Sequence, residues 1–365
     1  MQNLDKKTAV VLFNLGGPDS LKAVRPFLFN LFNDAAIINL PQPFRFLIAK
    51  LISSRRDKKA QKIYAAIGGK SPLLKTTLLQ AHSLEKELSF FGNFKVFVAM
   101  RYTKPFAAEV INEILKYKPE NIILLPLYPQ FSTTTSESSL TEFSEKFLQI
   151  QKNKKTKTKI KIVCCYPTQA DFIMSHALLI KQTLAKFYSK KISEFRFLFS
   201  AHGLPQKVID AGDPYVFQIE QTSKKTVENL AKLLEISAKE IDSQICYQSK
   251  VGPMKWTGPS LDFEIRKAVL DQKIPVIIPI SFVSDHSETL VELDIDYKKL
   301  AMDLGAKHYL RVPALNTDGH FIKALTAICK KIDFKSDDLC YSGINSTRIC
   351  PNNLTKCPNQ KLCKS

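Results

Sequence analysis

Short, β-branched apolar segments alternate with helix-like segments along the whole chain, and this alternation most constrains the fold. The apolar segments occupy residues 9–16, 94–102, 121–129, 160–166, 195–203, 242–249, 275–283 and 308–315. The helix-like segments include 72–90, 105–117, 169–188, 215–235, 260–270, 287–303 and 317–332. Strands that alternate with helices in this way pair in parallel, and the helices cover both faces of the sheet. The sequence therefore predicts an α/β fold.

The apolar segments divide evenly near residue 166, which predicts two similar doubly wound domains, each with its own small parallel sheet, facing one another across a cleft. A chain of 365 residues is too long for one ordinary core and suits two domains. The predicted boundaries give a first domain over 1–167, a second over 168–315, a helix over 316–332 and a tail over 333–365. Ligands of such folds bind at the carboxyl ends of the strands.

Composition excludes several classes of protein. The formal net charge of +19 would suit nucleic acid or anionic lipid. The lysines are nevertheless spread over many segments without a nucleic-acid motif, so we expect no nucleic-acid partner. The start of the chain lacks the pattern of a secretory signal, which predicts a cytoplasmic protein. The apolar segment 36–52 contains Pro41 and Pro43 and is shorter than the roughly 20 residues of a spanning helix. We expect it not to form a regular helix, and to touch a membrane without crossing it.

One segment, residues 281–297, contrasts with the basic chain because it collects carboxylates. Asp285 and Glu288 fit a capping box, in which Asp accepts helix amide hydrogens and Glu reaches back. Glu288, Glu292 and Asp296 recur every four residues, so they would share one helix face, where like charges destabilise the helix. A visiting cation would relieve this repulsion, and the row therefore predicts a path for a metal.

His202 lies where the apolar segment 195–203 ends, just before Leu204 and Pro205. A histidine there either caps the turn or acts as a ligand or proton acceptor. Together with carboxylates, His202 and His286 would select a transition metal over calcium or magnesium. The chain has no HExxH motif, so we expect a site that passes a metal on. His202 and Glu288 are the predicted proton-accepting pair.

Aromatic and aliphatic side chains are concentrated near the amino terminus, and the only tryptophan is Trp256. Core packing explains such residues as readily as a ligand does. Their position beside segment 36–52 favours a lip around a large flat ligand. The residues of this flank are Phe27, Phe29, Phe32, Phe44, Phe46 and Leu47. Basic side chains suited to carboxylates of that ligand are Arg55, Arg56, Lys59 and Arg101.

Several separate motifs occur in order between Val10 and Cys329. They are NLGGP at 14–18, IGGKSP at 67–72, MRY at 100–102, LYPQFS at 127–132, FSAHGLP at 199–205, YQSKVGP at 247–253, SDH at 284–286 and ETL at 288–290. This set resembles the ferrochelatases, which insert ferrous iron into protoporphyrin to make haem. The resemblance implies a pair of Rossmann-like domains with the porphyrin between them, and a helix around 317–332 that returns to the first domain.

The resemblance also implies roles for particular residues. His202 and Glu288 match the catalytic and iron-binding pair of the family, with ferrous iron as substrate and no cofactor required for catalysis. Asp285, His286, Glu292 and Asp296 match an acidic track for metal or protons. The expected porphyrin contacts are Leu15, Arg56, Arg101, Tyr102 and Trp256. Segment 36–52 matches the lip, which suits peripheral contact with the inner face of a membrane.

Four of the eight cysteines, namely Cys340, Cys350, Cys357 and Cys363, lie in the tail. A reducing compartment argues against structural disulfides. Animal ferrochelatases bind a [2Fe–2S] cluster through one internal and three tail cysteines, but the internal position here is Thr133. A tail cluster, a zinc ion and unliganded thiols therefore all stay open.

Two other functions are compatible with the sequence. One is a chelatase for a different tetrapyrrole, either coproporphyrin or a cobalt-receiving precursor, which a substrate panel would separate. The other is a carrier of porphyrin or metal that performs no chemistry. A carrier needs no proton acceptors, so the presence of both His202 and Glu288 favours an enzyme.

Overall fold

A computed structural model of the chain describes residues 6–151, 158–187, 189–250, 252, 254–336, 339–342 and 348–361. The strands are β1 (Thr8–Asn14), β2 (Phe94–Met100), β3 (Asn121–Pro126), β4 (Lys159–Cys165), β5 (Phe195–His202), β6 (Ser243–Gln248), β7 (Ile274–Pro279), β8 (Leu310–Arg311) and β9 (Cys340–Ser342). The described residues form two compact units.

Helices lie between successive strands, as the alternation of segments in the sequence predicts. They are α1 (Val24–Phe32), α2 (Phe44–Ala65), α3 (Leu73–Ser89), α4 (Ala107–Tyr117), α5 (Ser136–Gln151), α6 (Ala170–Leu184), α7 (Gln206–Asp210), α8 (Tyr215–Leu234), α9 (Leu261–Leu270), a π helix (Glu288–Tyr297), α10 (Lys298–Asp303), α11 (Gly319–Lys331) and α12 (Pro358–Lys361). Short 3-10 turns occupy Leu21–Ala23, Ala185–Phe187, Ile192–Glu194 and Ala238–Glu240.

Unit 1 comprises the described residues of Met1–Cys165, Leu325–Arg348 and Pro358–Ser365. Its parallel sheet has the strand order β2-β1-β3-β4-β9. All of β1, with sequence TAVVLFN, is buried because it has a strand on either side and helices on its faces. The rings of Phe13 and Phe143 meet edge to face at a centroid distance of 5.3 Å and join β1 to α5 in one apolar core.

Unit 2 comprises Tyr166–Ala324 and Ile349–Cys357. Its parallel sheet has the order β6-β5-β7-β8, with β5 flanked by β6 and β7. Successive side chains of β5 point to opposite faces: Phe197 and Phe199 pack with α6 and α8, while Leu198 packs with Ile265 of α9. The central position of β5 fixes where its last residue, His202, lies. The two parallel sheets confirm the predicted α/β fold class.

The prediction for segment 36–52 was wrong from residue 44 onward. α2 is a regular helix of 22 residues that begins at Phe44, directly after Pro43. Both prolines precede the helix, where a missing N–H costs nothing, so they mark its start instead of breaking it. The helix-like and apolar segments given above also lack α1, α5, α7, α12 and β9. β9 has only three residues, too few to carry a periodic pattern.

His176 is an unusual component of the core of unit 2. Its residue surface is 1% exposed, and neither ring nitrogen has a hydrogen-bond partner within the described part of the chain. The ring meets Phe172 edge to face at 4.9 Å. Burial lowers the pKa of His176 to about 3, although the carboxylate of Asp318 opposes this shift. The folded protein therefore keeps this ring neutral under mildly acidic conditions.

We predict that His176→Leu stabilises the protein more at pH 5 than at pH 7.5. Below the unfolded-state pKa of about 6.5 the unfolded chain binds a proton that the folded state refuses, so the free energy of unfolding falls as the pH decreases. This loss reaches about 2 kcal/mol at pH 5, and leucine removes it. Urea unfolding at both pH values measures the effect, with the exposed His82→Leu as control. An equal pH dependence in parent and His176→Leu would contradict the prediction.

Candidate active site

A direct contact between two chemically active side chains of unit 2 joins β5 to the π helix. His202 is the last residue of β5, and Glu288 is the first residue of the π helix. His202 Nδ1 lies 3.0 Å from Glu288 Oε2, with 37% of the histidine side chain and 25% of the glutamate side chain exposed. Both residues were predicted site residues, and the structure brings them into direct contact.

Electrostatics stabilises the charged forms of this pair. Burial alone would lower the pKa of His202, but the carboxylate of Glu288 outweighs it and raises that pKa above the usual value. Burial alone would raise the pKa of Glu288, but His202, and to a lesser extent His286, outweigh it and lower that pKa. The pair thus consists of a histidine base and a carboxylate, and the carboxylate stabilises a proton on the imidazole.

The second carboxylate of the row, Glu292, lies next to this pair. Ser249 Oγ is 2.7 Å from Glu292 Oε2 and 3.3 Å from Glu288 Oε2. Gln248 Nε2 donates to Glu292 Oε2 at 3.1 Å. Burial and the negative charge of Glu288 together raise the pKa of Glu292. One carboxylate of the row is therefore kept charged, while its neighbour holds a proton more readily.

The remaining predicted residues of the acidic track have different surroundings. Asp285 accepts hydrogen bonds from Arg311, Asn316 and Thr289 at 2.9, 2.8 and 2.9 Å. His286 Nδ1 faces the carbonyl oxygen of Ser284 at 3.1 Å, and its Nε2 lies 3.9 Å from Glu288 Oε2. Asp296 is exposed. A role for Asp285, His286, Glu292 and Asp296 as a path for metal or protons stays a prediction.

The capping-box hypothesis for Asp285 and Glu288 was wrong. The residue before the π helix is Ser287, and no side chain caps its amide hydrogens. Glu288 contacts His202 and does not reach back to the backbone. The helix is also of the π type, with i→i+5 hydrogen bonds, and helical segments of this type occur frequently at functional sites. Within the residues that the structure describes, no group of three or more His, Cys, Asp or Glu side chains is arranged to hold a metal ion.

Arg101 and Tyr102, two predicted porphyrin contacts, belong to a buried network in unit 1. The Arg101 guanidinium forms ion pairs with Asp34 and Glu142, both at 2.8 Å, and donates to Ser138. Tyr102 is 2% exposed and donates its hydroxyl to Asp34 at 2.7 Å. Each of the three guanidinium nitrogens of Arg101 thus has a partner in the protein. Contact of Arg101 with a ligand carboxylate stays a prediction.

Leu15, Arg56 and Trp256 complete the predicted set. Leu15 packs on the cluster around Tyr102, and the Arg56 guanidinium lies 5.6 Å from the ring centroid of Phe32. Trp256 pairs with Pro205 just after His202, and its indole N–H is buried without an acceptor in the described residues. Leu15 and Arg56 belong to unit 1 and Trp256 to unit 2. Their joint contact with one porphyrin stays a prediction.

Comparison with known proteins identifies the family. The model of the Ferrochelatase family matches residues 7–332. This chain belongs to the ferrochelatase family. It is 51% identical over 359 residues to the ferrochelatase of Rickettsia bellii (strain OSU 85-389), covering 97% of this chain and 96% of the relative. The ferrochelatase of Pelagibacter ubique (strain HTCC1062) is 47% identical over 357 residues, covering 96% and 98%.

A solved structure is also similar to this chain. SirB from Bacillus subtilis with Fe3+ gives a TM-score of 0.49 and 10% identity, covering 89% of this chain and 95% of the other. The family assignment depends on the family model and the relatives, both of which span nearly the whole chain.

The tail cysteines lie in both units of this family member. Cys340 packs with Cys164, Cys165 and Phe131 in unit 1, whereas Cys350 of unit 2 accepts a hydrogen bond from Gln218 at 3.2 Å. Cys357 is buried, and Cys363 lies outside the described residues. Because the described residues show no assembled ligand set, they do not fit a metal or cluster site by themselves. A four-cysteine [2Fe–2S] or zinc site stays a prediction.

Three residues to which the sequence analysis assigned no role contact the predicted site residues. Gln248 and Ser249 belong to the quoted motif YQSKVGP, but nothing in the sequence assigned them a contact with the acidic row. Arg311 donates to both Asp285 and Asp294. Its signal was a single charged residue within the apolar segment 308–315. A buried charge needs a partner, so the acidic row was the place to look for it.

We predict that Asp34→Asn lowers the free energy of unfolding by about 3 kcal/mol at pH 7, because it leaves part of a buried ion-pair network uncompensated. Burial would raise the pKa of Asp34, but Ser138, the Ala36 amide, Arg101 and Tyr102 outweigh it and lower that pKa. The stabilisation is therefore present above the unfolded-state pKa of about 3.9 and is lost at lower pH. Urea unfolding at pH 7 measures the loss, and the exposed Asp19→Asn serves as control. A loss no larger than that of the control would refute the prediction.

Proposed function

We propose that this chain inserts ferrous iron into protoporphyrin IX to form protohaem, acting as a lyase in haem biosynthesis. The observation that carries the proposal is the contact of His202 Nδ1 with Glu288 Oε2 at 3.0 Å, in a chain that belongs to the ferrochelatase family. The two residues lie at and beyond the carboxyl ends of the adjacent parallel strands β5 and β7, where ligands of this fold class bind.

The tautomer of His202 follows from its partner. An ionised carboxylate accepts hydrogen bonds only, so a neutral His202 carries its hydrogen on Nδ1 and donates it to Glu288. Nε2 then keeps a lone pair, which can accept a pyrrole proton or bind ferrous iron. When Nε2 takes a proton, the charge of Glu288 stabilises the resulting imidazolium, as the raised pKa of His202 indicates.

The reaction needs this arrangement. A free-base porphyrin must lose two N–H protons as the metal enters, so a proton acceptor has to lie beside the ring nitrogens. His202 is the acceptor that we assign, and Glu288 orients it. Glu292, with its raised pKa, lies next to Glu288 and is the group that we assign to take protons onward. A carrier that binds porphyrin without metallation needs none of these three groups.

We predict that His202→Ala and Glu288→Gln each lower the rate of iron insertion by at least 10²-fold, the contribution typical of a positioned proton acceptor. Anaerobic insertion of ferrous iron into protoporphyrin is followed through the porphyrin's visible absorption. His308→Ala, an exposed histidine of the same unit, is the matched control and keeps the parent rate.

The same assay separates the alternatives. A panel of protoporphyrin, coproporphyrin and a cobalt-receiving tetrapyrrole identifies the substrate as the one with the highest kcat/KM. A parent protein that binds porphyrin, seen by fluorescence quenching, but metallates none of them would be a carrier, and the proposed activity would be wrong.

We further propose that α2 makes peripheral contact with an anionic membrane surface. No helix in the described part of the chain is long and apolar enough to cross a membrane. Phe44, Leu47 and Leu51 are 62%, 58% and 49% exposed. Exposed basic residues continue at helical spacing at Arg55, Lys58 and Lys62. An apolar first half followed by a basic second half suits the interface of anionic lipid.

The expected result is that Leu47→Ser/Leu51→Ser weakens binding to phosphatidylglycerol vesicles at least tenfold, because two leucines lose their apolar burial in the lipid. Co-sedimentation measures the binding, and the difference between phosphatidylglycerol and phosphatidylcholine vesicles gives its electrostatic part. Leu270→Ser, which changes a leucine that is 82% exposed in α9, serves as control. Equal binding by the double variant and this control would exclude α2 as the contact.

A further inference from the structure

Gln248 is the residue that touches both sides of the pair formed by His202 and Glu288. Its backbone is in register with His202 across β5 and β6, and its carbonyl oxygen accepts the Gly203 N–H at 2.9 Å. Its side chain runs to the π helix, where Nε2 donates to the carbonyl oxygen of Glu288 at 3.2 Å. The end of β5 and the start of the π helix are therefore both held by one residue.

The orientation of the Gln248 amide is determined by its neighbours. The carbonyl oxygen of Glu288 and the carboxylate of Glu292 accept hydrogen bonds, so the amide NH₂ must face them. Oε1 then faces Ser200, whose Oγ lies 2.7 Å away and must donate. Ser200 is fully buried and Gln248 is 1% exposed, so water does not compete for these hydrogen bonds.

We propose that Gln248, fixed by Ser200, is a positioning residue that sets the direction of the Glu288 carboxylate toward His202. This inference rests on the proposed function, because the aligned pair is the proton acceptor of that reaction. The main-chain bond of Gln248 places His202 whatever the side chain is. The amide places the first turn of the π helix, and with it Glu288. The backbone of the neighbouring Ser249 has a φ of +63°, so strand β6 stops there and its Oγ reaches the two carboxylates.

The alternative is that Gln248 only fills space in the core. Gln248→Met separates the two roles, because methionine has a similar length but cannot donate a hydrogen bond. We expect Gln248→Met to lower kcat about 10²-fold, as a displacement of about 1 Å at a reacting group does. The KM for porphyrin should stay within about twofold, since no porphyrin contact is assigned to this residue. Gln218→Met, which removes another fully buried amide from the same unit, should leave kcat within about twofold.

Ser200→Ala tests the link between the two side chains. Without the serine hydroxyl, Oε1 of Gln248 loses its hydrogen bond and only the NH₂ group still holds the amide, so we expect kcat to fall about tenfold. If Ser200 acts through Gln248, the double variant Ser200→Ala/Gln248→Met loses no more than Gln248→Met alone, within about threefold. Multiplied losses in the double variant would show independent effects on the core and would overturn the proposal.

A crystal structure of Gln248→Met decides the geometry without reference to turnover. We expect the distance from His202 Nδ1 to Glu288 Oε2 to exceed hydrogen-bond reach, about 3.5 Å. A pair that keeps its 3.0 Å separation overturns the proposal, as does a kcat within twofold of the parent. A parent protein that never metallates porphyrin would sink the proposed function instead, and the crystal structure alone would still decide whether Gln248 positions the pair.

Discussion

The contact between His202 and Glu288 is the interaction on which the proposed chemistry of unit 2 depends. It joins the end of a central strand to the start of a π helix, and the two residues are 86 positions apart in the sequence. A hydrogen bond over such a distance in the chain holds only if both elements have fixed positions. β5 is fixed by β6 and β7 on its two sides. The helix start is contacted by Gln248 of β6 and by Ser249, which follows that strand, so two residues of the motif YQSKVGP belong to the surroundings of the pair.

The acidic segment of this basic chain divides into two groups of carboxylates with different partners. Asp285 and Asp294 both pair with Arg311, whose side chain is 13% exposed, so their charge is balanced within the protein. Among the residues that the structure describes, no arginine or lysine pairs with Glu288 or Glu292, which instead contact a histidine, a serine and a glutamine. Burial and the repulsion between these two carboxylates together raise the pKa of Glu292. Glu292 therefore binds a proton more readily than an ordinary glutamate does.

The sequence predicted the sheets better than the helices. Each apolar segment overlaps an observed strand, because strands buried on both faces must be continuous and apolar. His202 and Glu288 were found because polar residues at strand ends stand out against such segments. α2 was missed because prolines that precede a helix and prolines that interrupt one look alike in a sequence. The network of Asp34 was missed because its members, Arg101 and Ser138 among them, come from distant segments without a shared pattern.

The π helix explains why the row of carboxylates could be predicted while its contacts could not. A spacing of four residues places side chains on one face of an α-helix, and the prediction of like-charge repulsion assumed that geometry. The i→i+5 pattern turns more slowly per residue, so the direction of each carboxylate differs from that assumption. Glu288 then contacts the end of β5, Glu292 contacts Ser249 beyond the end of β6, and Asp296 is exposed. A change of helix type within one segment thus gives equally spaced acids unequal surroundings, and for Glu288 and Glu292 these surroundings shift the pKa in opposite directions.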